Sequence, residues 1–163
     1  METRVLTAAD AAAWRAIRLR ALREHPEAFL VSVEEEERRP ERATWADPED
    51  AILGAFDGAA IVGTVGFARE RFAKTRHKAV IWGVYVAPEA RGRGVGRRLL
   101  DGAVARISGW PAIEQVCLSV SASSAAARAL YAAAGFVTWG VEPQAMLVDG
   151  RRNDEEHMVL RLR

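Results

Sequence analysis

Between Val84 and Leu100 the chain reads Val-Tyr-Val-Ala-Pro-Glu-Ala-Arg-Gly-Arg-Gly-Val-Gly-Arg-Arg-Leu-Leu, and no other stretch restricts the fold as much. An apolar, strand-like run enters a turn at Pro88 and passes through glycine at every second position, Gly92, Gly94 and Gly96. It then continues into a helical pattern with Val95, Leu99, Leu100, Ala103, Val104 and Ile107 on one face. A strand that passes straight into a helix through such a loop belongs to α/β architecture. It also collects backbone N–H groups at the positive end of a helix, with Arg91, Arg93, Arg97 and Arg98 around them. That combination suits a phosphate group, so a phosphorylated cofactor is expected.

The length of 163 residues fits a single domain, 1–163, large enough for a real core, and the 50% apolar and 28% charged composition is ordinary for a globular chain. A net charge of +1 gives no reason to expect nucleic acid as a partner. The local basic clusters, at residues 91–98 and at Arg151 and Arg152, suit a small anion better than a polyanion. Cys117, the single cysteine, lies in an apolar run and reads as a buried structural thiol. His25, His77 and His157 do not fall at metal-ligand spacings, and no metal is expected. No apolar run approaches the ~20 residues of a membrane helix, and the first residues lack the apolar segment of a signal peptide. A soluble cytoplasmic protein without a membrane partner is the expectation.

The order of elements reads βααβββαβαββ. Thr3–Leu6 is a strand, and Thr7 with Asp10 forms a capping-box pattern before a helix carrying Trp14, Ile17, Ala21 and Leu22 on one face. Pro26 ends that helix, and residues 28–47 hold one or two short helices with the acidic run Glu34–Glu37. Strands follow at 51–56 and 60–69, joined by a turn at Asp57-Gly58, and another spans 79–86. After the glycine loop and its helix, Val116–Val120 is a strand, and Ser123 or Ser124 caps a helix bearing Ala127, Leu130, Tyr131 and Ala134. Strand segments at 136–141 and 145–148, broken near Pro143, precede an Asp149-Gly150 turn and a last strand at about 157–162.

The loop lacks the Gly-x-x-x-x-Gly-Lys-Ser/Thr string of nucleoside triphosphatases. Its third glycine stands one residue too early for a dinucleotide fingerprint. A turn that merely allows close strand–helix packing is the plainer alternative, and the flanking arginines with the helix start favour anion binding over it. Arg91-x-x-Gly94-x-Gly96, between Val86-x-Pro88 and Leu99-Leu100, resembles the Gln/Arg-x-x-Gly-x-Gly/Ala motif of the GNAT superfamily of N-acetyltransferases. Downstream, Leu118-x-Val120 followed by Ser124-x-x-Ala127-x-x-Leu130-Tyr131-x-x-x-Gly135-Phe136 is similar to that family's second motif, which usually has Asn where Ser124 stands. The resemblance is strong over residues 79–140.

The resemblance implies a single α/β domain whose mixed sheet has its fourth and fifth strands splayed apart and flanked by helices, with acetyl-CoA as cosubstrate. It implies that the pyrophosphate rests on Gly92, Arg93, Gly94, Val95, Gly96 and Arg97, with charge from Arg91. It also implies that the pantetheine arm pairs with the backbone of Val84, Tyr85 and Val86, and that Ser124 and Ala127 complete the cofactor contacts. The reaction implied is direct attack of an amine on the thioester, with Tyr131 as general acid for the thiolate. A catalytically silent acetyl-CoA sensor is the alternative. The strand before the loop carries no acid, so the base is open among Glu34, Glu35, Glu142 and residues 154–156. The acceptor is an amine of unknown identity. Carboxylates of the acidic run beside Phe29, Trp45 and Trp139 suggest a cationic one. Dimerisation is common in that fold, so a homodimer is compatible with the resemblance, although no residue pattern specifies one.

Overall fold

Gly58, at φ +60°, turns β2 (Asp50–Asp57) back onto β3 (Ala60–Arg69), as the Asp57-Gly58 signal predicts. This hairpin anchors one side of the sheet in a computed structural model that describes residues 1–162. β1 (Glu2–Val5) pairs with β2, and β4 (Lys78–Val86) pairs with β3, all antiparallel. β5 (Gln115–Ser121), β6 (Val137–Val148) and β7 (Arg151–Arg161) complete a seven-stranded sheet in the order β1-β2-β3-β4-β5-β7-β6. Among the described residues, only β4 and β5 are parallel. A parallel pair needs a crossover, and α3 (Val95–Ser108) supplies it.

Helices cover both faces. α3 buries Val95, Leu99, Leu100, Ala103 and Ile107 of the stripe read from its period in the main core with Phe67, Ile113 and Val116, and Val104 is partly buried against it. α4 (Ala125–Ala133) adds Tyr131 to the same core. On the other face, α1 (Ala11–Glu24) packs Ile17 and Ala21 against Tyr85 and Ala87. Each fully buried Leu or Ile in these layers contributes about 1.5–3 kcal/mol.

Local expectations hold near the start of the chain and are corrected in its last two strands. Residues 28–47 hold one short α-helix, α2 (Val33–Arg38), within the one or two expected, and Ser32 and Glu35 cap it reciprocally, at 3.1 and 2.9 Å. Thr7 and Asp10 bracket a 3-10 turn ahead of α1, and the Asp10 carboxylate accepts from the Thr7 N–H and from both Nη atoms of Arg4. β6 is one strand with an irregularity between Glu142 and Met146, where Gln144 sits at φ +55°. Pro143 is tolerated there because β6 is an edge strand. β7 starts at Arg151, well before His157, because it forms a long ladder with β6.

The feature that positions the site is the limited pairing of β4 with β5. Register partners run only from Lys78–Val80 to Gln115–Cys117, after which both strands continue unpaired with one another. A bulge in β4 accompanies the separation: Thr64 opposes Tyr85 and Gly66 opposes Trp82, so two steps along β3 match three along β4. Gly83, at φ +61°, lies within the bulge. The extra residue switches the facing of side chains, placing Trp82 with the α1-side cluster and Val84 against the α3-side core. Trp82 lies over Gly66, where an added Cβ would overlap the indole ring. Gly66→Ala is expected to lower unfolding free energy by about 1–3 kcal/mol in urea denaturation. An unchanged midpoint would show that the indole relocates freely.

Candidate functional site

The glycine loop forms an open cradle. Gly92 and Gly94 have φ of +71° and +73°, and Gly94 is the N-cap of α3 without any side-chain cap. Among the described residues, none of the backbone N–H groups from Gly92 to Arg97 finds a hydrogen-bond acceptor; the first bond into the helix is Arg98 N–H to the Gly94 carbonyl, 3.1 Å. A Cβ at Gly92 or Gly94 would meet nothing within 4 Å, so these glycines answer to the backbone conformation and leave the N–H groups accessible. Gly96 has another role: its Cβ would stand 3.2 Å from Leu130, so it lets α3 approach α4 closely. The side chain of Val95 is in the core.

The arginines are less free than their number suggests. Arg93 pairs with Asp57 at 2.9 Å, and Arg97 pairs with Asp101 and donates to the Ala133 carbonyl. Arg91 donates to the Val86 carbonyl and lies 3.0 Å from His25 Nε2. Arg98 is exposed with no ion pair among the described residues. The exposed N–H groups are therefore the least engaged polar groups of the loop, with arginine charge around them.

Beyond Val80, the edge of β4 that would face β5 has no strand beside it. The Ala87 N–H donates to Val62 on the β3 side, so by strand alternation the N–H of Val86 faces the slot. Val84 and Val86 pack their side chains on the main core. The side chain of Tyr85 lies under α1, and its hydroxyl donates to Glu24 at 2.6 Å. Burial, then the Glu24 contact, pushes that phenol well above its ordinary pKa. By the same alternation the backbone N–H and carbonyl of Tyr85 face β3, so Tyr85 offers neither its phenol nor its backbone polar groups to the slot.

Tyr131 is 6% exposed and meets Phe136 edge-on at 6.1 Å. Its hydroxyl has no hydrogen-bond partner among the described residues, and burial pushes its pKa up to about 12. Ser124 holds the N-cap position of α4 but its side chain makes no capping bond, and Ser123 bonds to Ser121 Oγ instead. The expected serine cap is therefore not formed. Ala127 is half-buried against the core.

Across the sheet, a cleft of about 1030 Å³ lies between the α1–α2 region and β4, and its lining includes Trp14, Arg18, Phe29, Trp82, Gly83, Ser119 and Glu155. Gly83 and Ser119 belong to the diverging strands, so the cleft reaches the slot. Glu155 is the acidic candidate that lies in this wall beside the slot, and its burial raises the carboxyl pKa above the usual range. Glu142, Glu155 and His157 offer ligand atoms within 4.8 Å of one another. Both ring nitrogens of His157 already face partners, Ser119 at 2.8 Å and Glu142 at 3.3 Å.

The acidic run does not supply a site for a cation. Glu35 caps α2, Glu36 is buried beside Arg18, and Glu37 pairs with Arg23. Trp139 is exposed and stacks on His157 outside the cleft. Sequence reasoning missed Gly83, Arg18 and Trp82. The available signal was a charge at position 18, one turn after Trp14 and beside Ile17, on the face of α1 that turns inward.

Comparison with known proteins gives a consistent family. Residues 14–136 match the family model described as acetyltransferase (GNAT) family. A mycothiol acetyltransferase of Beutenbergia cavernae is 36% identical over 140 residues, covering 85% of this chain and 45% of that protein. One from Thermobispora bispora is 32% identical over 141 residues, covering 82% and 45%. The chain thus spans a little under half the length of these curated relatives. A ribosomal-protein-alanine N-acetyltransferase from Brucella melitensis superposes with a TM-score of 0.81 at 27% identity, covering 99% of this chain and 100% of that one. A Salmonella typhimurium protein solved with acetyl-CoA as its cofactor gives 0.78 at 25% identity, covering 100% and 94%.

The chain has two tyrosines, both with raised phenol pKa. Because the folded values exceed the unfolded value of about 10, the associated stability is fully present below about pH 10 and is lost as pH rises through the folded values, about 12 for Tyr131. Ultraviolet titration of the native protein is expected to show little tyrosinate at pH 10.5, against substantial ionisation in denaturant. Equal ionisation in both states would contradict the burial of the phenols.

Proposed function

The chain belongs to the GNAT acetyltransferase family, and from that premise we propose that it transfers the acetyl group of acetyl-CoA to the nitrogen of an amine held in the cleft between α1 and β4. The observation that carries this reading is the slot between β4 and β5, with unpaired N–H groups of residues 92–97 near one end and the cleft opening on it from the opposite face.

The residues fit the cosubstrate. The Gly92–Arg97 N–H groups at the start of α3 suit a pyrophosphate, and the free edge of β4 at Val84–Val86 suits the amides of an extended arm. Ser124 and Ala127, at the start of α4, would border that arm. When bound, acetyl-CoA supplies an activated acyl group and a sulfur leaving group. The Val86 N–H, directed into the slot, is placed to stabilise negative charge developing on an acyl oxygen. We assign the donor to the departing sulfur to Tyr131, a reading supported by its match to the motif's tyrosine and by a hydroxyl without a hydrogen-bond partner among the described residues. A phenol near 12 is a weaker acid than a thiol near about 8.5, so Tyr131 acts chiefly as a hydrogen-bond donor. Glu155 takes the proton that the amine must lose, a role favoured by its place in the cleft wall and its raised pKa.

The curated relatives' names specify mycothiol acetylation for proteins about twice as long, so the acceptor proposed for this chain is a primary amine without that restriction. Thiol release from acetyl-CoA across a panel of amines tests the activity. Tyr131→Phe is expected to lower kcat by about 10²-fold with acetyl-CoA affinity unchanged. Unaltered turnover would remove Tyr131 from the chemistry. Glu155→Gln is expected to abolish the acidic limb of the pH profile, because a base must be ionised and the rate falls as pH drops through its raised pKa. Binding of acetyl-CoA with no amine turned over would favour the sensor reading instead.

A further inference from the structure

Arg18 is a buried cation with unused donors in the wall of the acceptor cleft. Its side chain is 10% exposed, and its guanidinium carbon lies 5.1 Å from the Phe29 ring centroid and 5.9 Å from that of Trp82. Nε and Nη1 are sealed from solvent without a hydrogen-bond partner among the described residues. Glu36 stands 3.5 Å from Nε, close enough to offset part of the charge, yet Glu36 Oε2 is itself unpartnered. A guanidinium carries five N–H donors, and a largely desolvated one with two of its three nitrogens unpartnered is costly. Of the other arginines lining the cleft, Arg39 and Arg71 are exposed and make only long ion pairs, 3.9 Å to Glu36 and 3.8 Å to Asp50, whereas Arg15 and Arg42 are already engaged. Arg15 donates to the carbonyls of Glu36 and Glu37, and Arg42 pairs with Asp50.

The position of Arg18 is as informative as its chemistry. A Cβ on Gly83 would stand 3.4 Å from Arg18 Nη1, so the guanidinium lies beside the bulge at which β4 opens into the slot. An amine that reaches the slot past Gly83 therefore has its neighbouring substituent against Arg18. The flanking aromatic rings limit water around the guanidinium and so strengthen an ionic hydrogen bond there. A planar guanidinium is matched best by a planar oxyanion.

We propose that Arg18 is the anion receptor of the acceptor site, so that the amine acetylated by this chain carries a carboxylate, which docks on the guanidinium beside Gly83 while the amino nitrogen enters the slot. The proposal rests on the acetyl-transfer reading above, and it replaces the cationic acceptor suggested by the acidic run.

The test uses the intact protein with acetyl-CoA and matched acceptors: L-amino acids, their amides, the corresponding decarboxylated amines, and tripeptides with aspartate or asparagine at the second position. Carboxylate-bearing members are expected to exceed their neutral counterparts about ten- to a hundredfold in kcat/KM, the range of a charged hydrogen bond. The pair that shows the difference identifies whether the carboxylate belongs to a free amino acid or a peptide. Arg18→Met, which keeps the aliphatic stem, is expected to bring the ratio near one with acetyl-CoA affinity unchanged, and Arg18→Lys to restore part of it. A wild-type protein indifferent to the carboxylate overturns the proposal without any variant, as does a preference that survives Arg18→Met. If no amine releases thiol, acetyl transfer fails by itself. Calorimetric titration of the same pairs with CoA present then decides the Arg18 site, with carboxylate-dependent binding lost in Arg18→Met supporting it and equal binding overturning it.

Discussion

The parallel contact between β4 and β5 ends after Val80 and Cys117, and the rest of the site depends on that interruption. A continuous ladder would bury the backbone groups of Val84–Val86 in pairing and close the way from one face of the sheet to the other. The separation leaves the slot-facing N–H of Val86 without a strand partner, while its carbonyl accepts from Arg91, and an unpaired backbone group is costly unless a ligand or water satisfies it. The bulge at Gly83 turns the strand at this point, and positive φ at that residue suits glycine. Strand pairing thus holds the two strands together at one end and lets the other end act as a binding edge.

The two faces of the sheet then divide the work. On the α3–α4 face lie the open N–H groups of the glycine loop and the buried Tyr131, which the proposed reading assigns to the phosphorylated arm and its reactive end. On the α1–α2 face, the cleft collects aromatic rings, Glu155 and Arg18. Tyr85 connects the two in a structural way, because it lies in the strand that borders the slot while its phenol binds Glu24 of α1. Glu24 also pairs with Arg20 and lies 3.8 Å from Arg91, so α1 and the cradle share one surface network. Exposed pairs of that sort contribute little to stability, and their part here is to orient Arg91.

Much of the fold was legible because its signals are local. The 3.6 period of residues 95–107, the Asp57-Gly58 and Asp149-Gly150 turns and the strand at 60–69 appear as read. The misreadings came from places where tertiary pairing overrides local pattern. Pro143 looks like a strand breaker, yet on the outer edge of β6 its missing N–H disturbs little. Ser124 looks like a helix cap, yet its side chain makes no such bond. Glu36 looks like one more surface carboxylate, yet α2 turns it inward beside Arg18.

By itself, the sequence determined the element order and the glycine cradle, because left-handed glycines, a helix start and an apolar stripe act over a few neighbouring residues. It also placed Tyr131 on a helix beyond the cradle by the spacing of a motif. Only the tertiary structure decided which charges remain available. Arg93 meets Asp57 and Arg97 meets Ala133 across long separations in the chain, while Arg18 is buried with its donors unused. The reason is physical: backbone conformation is governed by adjacent residues, whereas the partner of a long side chain depends on which distant elements packing brings within a few ångströms.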